Sequence, residues 1–298
     1  MKEFIPLNLP DPVEWAVPLF AISVIGEMLY SRWNKNISYE TKDTMASLAM
    51  GLGNQIVSII MHGMIVATMI FAYQHRLFDI GVTLPVFIAC FFLEDLTYYW
   101  VHRIGHEVRF FWASHVIHHS SQHYNLSTAL RQTWTGNLAL GFLFWVPLAF
   151  LGIHPSIIFF FQGLSLVYQF WIHTEAIDKM PKWFEAVFNT PSHHRVHHAT
   201  NPEYLDKNYA GVLIIWDKIF GTFIPETEKP KYGIVSNLGT FNPFIIGFHE
   251  WIGIFKDIKS KGISSAKNFL FGPPGWTPDN SRKTSKMIKE EHRARQKT

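Results

Sequence analysis

Ten of the sixteen histidines in this 298-residue chain fall into three short runs. The first is His102-Arg103-Ile104-Gly105-His106, a four-residue spacing that puts both imidazoles on one face of a helix, with Asp95 on the same face seven residues earlier. The second is His115-Val116-Ile117-His118-His119, followed one turn later by His123. The third is His193-His194-Arg195-Val196-His197-His198, in which His194, His197 and His198 repeat the H-x-x-H-H spacing. Neutral imidazoles ligate zinc, copper, iron and nickel. Leaving out His123 and His193, the runs offer eight nitrogen donors, too many for one metal. They suit a pair with four or five positions each, some left for water or oxygen. Such a pair points to redox chemistry on oxygen or to two-metal hydrolysis, and the spacings alone do not separate these. Isolated histidines such as His62, His75, His154, His249 and His292 read as surface or packing residues. Imidazoles packed in clusters would repel if protonated and lose hydration if buried, so metals or hydrogen bonds must satisfy them.

The elements that must hold these runs are apolar. The chain is 48% hydrophobic and 16% aromatic but only 16% charged, against about 25% charged in an ordinary soluble domain. That excludes disorder and a collagenous chain, and a single cysteine, Cys90, excludes a disulfide framework or a cysteine-rich metal site. Spans are expected near 12–33, 45–73 and 82–100, with a shorter apolar pair, 138–151 and 157–171, read as a re-entrant hairpin or a tilted pair. The expected fold is all-α: an integral membrane helical protein, multi-pass, with a histidine-rich helical di-metal domain on the cytoplasmic side. Residues 1–253 would form one membrane-embedded catalytic domain and 254–298 a basic polar tail. The tail carries +7 of a net charge of +3, leaving −4 for the rest. Its few aromatics argue against nucleic-acid binding and for a solvated tail or one near an anionic membrane surface. Arg32, Lys35 and Lys42 follow the first span, so the positive-inside rule puts that loop, the histidine domain and the tail in the cytoplasm. Met1 to Pro12 lacks a basic region followed by a small-residue cleavage site, so no cleaved signal peptide is expected.

The set H-x-x-x-H, H-x-x-H-H and H-x-x-H-H on the polar side of apolar spans resembles the fatty-acid hydroxylase and sterol desaturase superfamily of membrane di-iron oxygenases. The likeness runs from about Asp43 to Phe223. Within it, Tyr98-Tyr99-Trp100-Val101-His102-Arg103, His118-His119-Ser120-Ser121-Gln122-His123-Tyr124-Asn125, Thr128-Ala129-Leu130-Arg131-Gln132, Thr190-Pro191-Ser192-His193-His194-Arg195 and Asp206-Lys207-Asn208-Tyr209 resemble the alkylglycerol monooxygenase branch, as does Trp216-Asp217-Lys218-Ile219-Phe220-Gly221-Thr222. The resemblance implies two iron ions on His102, His106, His115, His118, His119, His194, His197 and His198. It makes His173 the candidate ninth ligand, with His123 and His193 behind it. Asp95, Glu175 and Asn208 are candidates for fixing ligand tautomers, and Arg131, Arg195 and Lys207 for orienting a polar lipid head or a pterin. The implied reaction is tetrahydrobiopterin-dependent hydroxylation of the carbon next to an alkylglycerol ether oxygen. The product is a hemiacetal that falls to an aldehyde and glycerol. The partners would be a membrane lipid, O2 and an external electron donor, in a bacterial inner membrane or endoplasmic reticulum. Oligomeric state is open. The chain departs from that branch in having a polar tail where the branch carries further spans. Alternatives are a sterol or fatty-acyl desaturase or hydroxylase, a membrane metal-dependent hydrolase, and a non-catalytic lipid-binding or metal-storage protein.

Overall fold

An aspartate starts the first helix. The Asp11 carboxylate accepts from the Val13 amide at 2.8 Å, and Pro12 occupies the first position of α1 (Pro12–Tyr30), where its missing N–H costs nothing. The computed structural model describes residues 2, 4–35 and 37–296. Among these the chain is all-α, with β-pairing limited to the isolated bridges Phe188–Leu213 and Ala199–Tyr232. α2 (Thr41–Gln74) begins at Glu40, which accepts from the Asp43 amide at 2.7 Å, and α3 (Leu84–Glu107) follows a proline at its second position. These three helices are long and apolar enough to cross a membrane. They carry their large apolar side chains outward: Trp15 is 76% exposed and Ile59 75%. Such surface costs about 25 cal/mol per Å2 in water and nothing in lipid, which makes this an integral membrane protein. The 34 residues of α2 cover about 50 Å at 1.5 Å each, more than the roughly 30 Å of hydrocarbon.

The shorter apolar pair forms a hairpin. Residues 138–145 are irregular apart from one tight turn, Gly141–Trp145, so the first arm shrinks to α5 (Val146–Leu151), while the second is α6 (Pro155–Trp171). They join at Gly152, whose φ of 118° and close approach to the Phe78 carbonyl leave no room for a Cβ. The hairpin packs Leu148, Ala149, Ile157 and Ile158 against Met69 and Tyr73 of α2 and Cys90 of α3.

Val108, at φ −119° and ψ 117°, ends α3 and at once starts α4 (Arg109–His119), which lies against α3. Short helices α7 (Lys182–Val187), α8 (Pro191–His197) and α9 (Ile215–Ile219) follow α6. Asn242 caps α10 (Pro243–Lys261), and α11 (Ala266–Phe271) and α12 (Ser285–Gln296) complete the chain. Position 254, where the sequence suggests that a polar tail begins, falls inside α10. The tail is folded: Phe269 is buried, α10 and α11 pack on α4, and the Arg109 amide donates to the Gly272 carbonyl at 3.0 Å. Arg109 itself is 2% exposed and pairs with Glu250 at 2.5 Å and with Asp257 of the tail at 2.6 Å.

Candidate metal centre

Three helices and one loop deliver the imidazoles. His102 and His106 close the last two turns of α3, His115, His118 and His119 lie on α4, His194, His197 and His198 end α8, and His173 stands just beyond α6. Their nitrogens form two groups, each within 4.8 Å: His102, His106, His115, His119 and His197; and His118, His173, His194 and His198. Each H-x-x-H-H motif straddles both. The i, i+4 pairs His115/His119 and His194/His198 stay together, whereas His118 and His197, one residue before the last, turn to the other group. The stacked rings of His119 and His198, 4.3 Å apart, join the two.

The hydrogen bonds test whether metals fit. The Nδ1 atoms of His102, His118, His173 and His197 face the backbone carbonyls of Tyr209 (2.7 Å), Arg131 (3.3 Å), Gln169 (2.7 Å) and Lys207 (3.0 Å). A carbonyl only accepts, so each Nδ1 carries the proton and each Nε2 a lone pair. Yet the Nε2 atoms of His118 and His173 face each other at 3.1 Å, two acceptors with no proton between them. The Nε2 atoms of His106 and His197 are buried without any partner. Lone pairs converging in a dry interior are stable only around a cation. The residues therefore fit two metal ions, and the all-nitrogen set suits a pair of iron ions. Burial away from water holds His115, His119, His173, His194, His197 and His198 well below the usual imidazole pKa and brings His118 to about 4, so the donors are neutral and ready to bind.

The structure brings His173 to the second group and leaves His123 and His193 outside both. His123 bonds through Nδ1 to the Ser38 hydroxyl at 2.9 Å, and the His193 ring packs edge-on against Phe223. None of the three polar residues expected to orient an imidazole touches one. Asp95 accepts from the amides of Val212 (2.8 Å) and Leu213 (3.0 Å) and from Trp216 Nε1 (2.9 Å). Asn208 donates to the carbonyls of His193 and Ile224, and Glu175 accepts from the Tyr232 hydroxyl. Asp217 holds the amides of Tyr209 and Ala210, each at 2.8 Å. Asp95 and Asp217 thus pin the loop whose Tyr209 carbonyl receives the His102 proton.

The three cations expected to meet substrate are occupied elsewhere. Arg131 is 1% exposed and spends its guanidinium on Asp43 (2.5 Å), Ser47 and Ser120, while its carbonyl serves His118. Arg195 pairs with Glu226 at 2.7 Å and caps the carbonyls of Thr174, Ile177 and Asp178. Lys207 reaches the Gly221 carbonyl at 3.4 Å. Sequence reasoning missed the rings that wall the centre: Trp112 against His106, Tyr124 stacked on His173, and Tyr209 against His102 and His197. Trp112 was within reach, since it lies three residues before His115 on the same helix.

With this geometry in place, comparison with known proteins gives a class. The fatty acid hydroxylase family model matches residues 87–222, the segment that holds all nine clustered imidazoles. The alkylglycerol monooxygenases of Xenopus tropicalis and Homo sapiens are each 40% identical to the chain, over 92% of it and 62% of their own length. The chain thus spans a little over three-fifths of those relatives. The ornithine lipid hydroxylase OlsE of Rhizobium tropici is 30% identical over 49% of this chain and 44% of its own. No solved structure matches.

Proposed function

We propose that the chain is a di-iron, oxygen-dependent lipid hydroxylase. In this reading the first iron sits among His102, His106, His115, His119 and His197, and the second among His118, His173, His194 and His198. The observation that carries it is the pair of neutral, carbonyl-anchored imidazole groups at the end of an outward-apolar helix, α3. Bound iron supplies the redox chemistry that activates oxygen toward an unactivated C–H bond. The protein keeps each ligand in its lone-pair tautomer through the carbonyls of Tyr209, Arg131, Gln169 and Lys207 and excludes water with Trp112, Tyr124 and Tyr209. The target in this reading is the carbon beside an ether oxygen, with a fatty aldehyde as product, a choice supported by the likeness to alkylglycerol monooxygenases. In the same reading the histidine domain lies in the cytoplasm, at a bacterial inner membrane or the endoplasmic reticulum, an orientation supported by the positive residues after α1.

The test is the metal content of detergent-purified protein, followed by anaerobic reduction and exposure to oxygen with an alkylglycerol and tetrahydrobiopterin, products read by mass spectrometry. Two irons and a fatty aldehyde are expected. Two irons without aldehyde would keep the hydroxylase and move the substrate to sterols or fatty-acyl chains. Stoichiometric zinc with no oxygen uptake would overturn the reading in favour of a hydrolase.

A further inference from the structure

The polarity of α10 is reversed. Its exposed side carries Phe244, Ile245, Phe248, Ile252 and Phe255, which the helical spacing gathers into one strip, and Phe244 and Phe255 are each 67% exposed. The acids point the other way: Glu250 and Asp257 both bind Arg109 of α4, at 2.5 and 2.6 Å. A helix packed on a water-soluble domain turns its charges to water and its phenylalanines to the core. α10 does the opposite over a continuous strip, not at the scattered single side chains that any surface carries. Yet α10 is not among the helices apolar enough to cross a membrane. Its depth is set by α2. Ile246 joins Ala46 and Met50 of α2 and Ile117 of α4 in one buried cluster, while Leu48 and Leu52, between and beyond those α2 positions, face outward. The strip on α10 therefore lies beside the outward apolar face of a span, within that span's first turns. At the far end of the strip stand Lys256 and Lys259, both exposed, and among the described residues neither makes an ion pair.

A second copy of the chain docked by a two-fold would present this same strip, and so would bring no acid to Lys256 and Lys259. An anionic leaflet answers both halves of the strip, with acyl chains for the rings and phosphates for the ammonium groups. We infer that α10 lies in the plane of the membrane, its outward strip seated at the boundary of headgroups and acyl chains on the side of the histidine domain, with Lys256 and Lys259 on the headgroups of anionic lipids. The inward side of the same helix holds Arg109, so the leaflet braces α4 and the three imidazoles that α4 carries.

Fluorescence quenching in nanodiscs tests it, using the full chain with Cys90→Ala and one new cysteine, Phe248→Cys, Phe255→Cys or Lys286→Cys, labelled with an environment-sensitive dye. Lys286 is an exposed residue of α12, a helix that packs on the Pro202–Tyr204 turn. Doxyl lipid carrying its spin label near the headgroup should quench the dyes at 248 and 255 roughly threefold or more above the dye at 286, and aqueous iodide should do the reverse. Replacing part of the phosphatidylcholine with phosphatidylglycerol should deepen the lipid quenching, and Lys256→Gln with Lys259→Gln should abolish that dependence while the apolar contact persists. Dyes at 248 and 255 that iodide reaches and doxyl lipid does not would overturn the inference. So would protection seen only in discs that hold two chains, which would give the strip to a second copy. Quenching indifferent to phosphatidylglycerol would overturn the assignment of the lysines to anionic headgroups.

Discussion

A step of one residue along a helix decides which metal a histidine serves. On α4, His118 and His119 are neighbours in sequence, yet their nitrogens belong to different groups, because successive side chains on a helix point about 100° apart. The same division falls between His197 and His198. With only the eight clustered histidines, the second group would hold three; His173 makes it four. Replacing His173 with Ala is therefore expected to lower metal content from two ions to about one per chain, read by elemental analysis, with the fold retained. Loss of both ions, or of none, would refute the partition. His118→Ala should behave the same way, and full turnover in that variant would sink the site assignment. The imidazoles were legible because ligand chemistry lives in the side chain. Their orienting partners were not, because four of them are backbone carbonyls, which every residue possesses. Asp95, Asn208 and Glu175 looked suited to that task by type, but peptide groups had already filled it.

The loop between η-turn Pro202–Tyr204 and α9 shows how carboxylates act at one remove. Asp95 on α3 collects two amides and an indole N–H of this segment, and Asp217 collects two more amides and the Thr222 hydroxyl. Gly211 passes so close to Tyr98 that a Cβ there would sit 2.9 Å from its ring. Asp95→Ala should strand three donors, each costing about 1–3 kcal/mol when buried and unpaired. The expected result is a lower Tm together with loss of the first metal in preference to the second, since Tyr209 orients His102 alone. Equal loss of both metals would mean that Asp95 supports the fold generally and not this loop. The helical spans were legible from hydropathy and length. The α5–α6 hairpin was half legible: its apolar character shows in sequence, but the tight turn that shortens its first arm lies against α3, a contact between distant segments that no local pattern shows.

For the whole molecule, the buried imidazoles set a pH limit. A group whose pKa is lower folded than unfolded binds fewer protons folded, so its contribution is complete above the unfolded value, about 6.5, and is lost as pH falls through the folded one. For the metal-free protein, stability should decline from about pH 6.5 toward 4, the value burial imposes on His118, which thermal melts across that window would reveal. A flat profile would mean that the cluster is hydrated in solution. A second whole-molecule test is Arg109→Met, which takes the cation from Glu250 while Asp257 keeps Arg282 at 2.6 Å; thermal melts should show a loss smaller than the roughly 3–5 kcal/mol of breaking a fully buried pair. The lysines that mark 254–298 as a basic polar tail say nothing of its packing; one acid among them, Asp257, and one aromatic, Phe269, fasten it to Arg109 of α4.

That fastening imposes an order on biogenesis. α4 carries three of the nine imidazoles, and the cation at its first residue is neutralised by a carboxylate that leaves the ribosome nearly 150 residues later. The spans can enter the bilayer as they emerge, but α4 has only Glu250 of its two acidic partners until Asp257 follows. Iron should accordingly be held firmly only once the segment beyond residue 253 has emerged and packed on α4. Nascent chains arrested at residue 253, although they already contain every clustered histidine, should retain less iron than released ones.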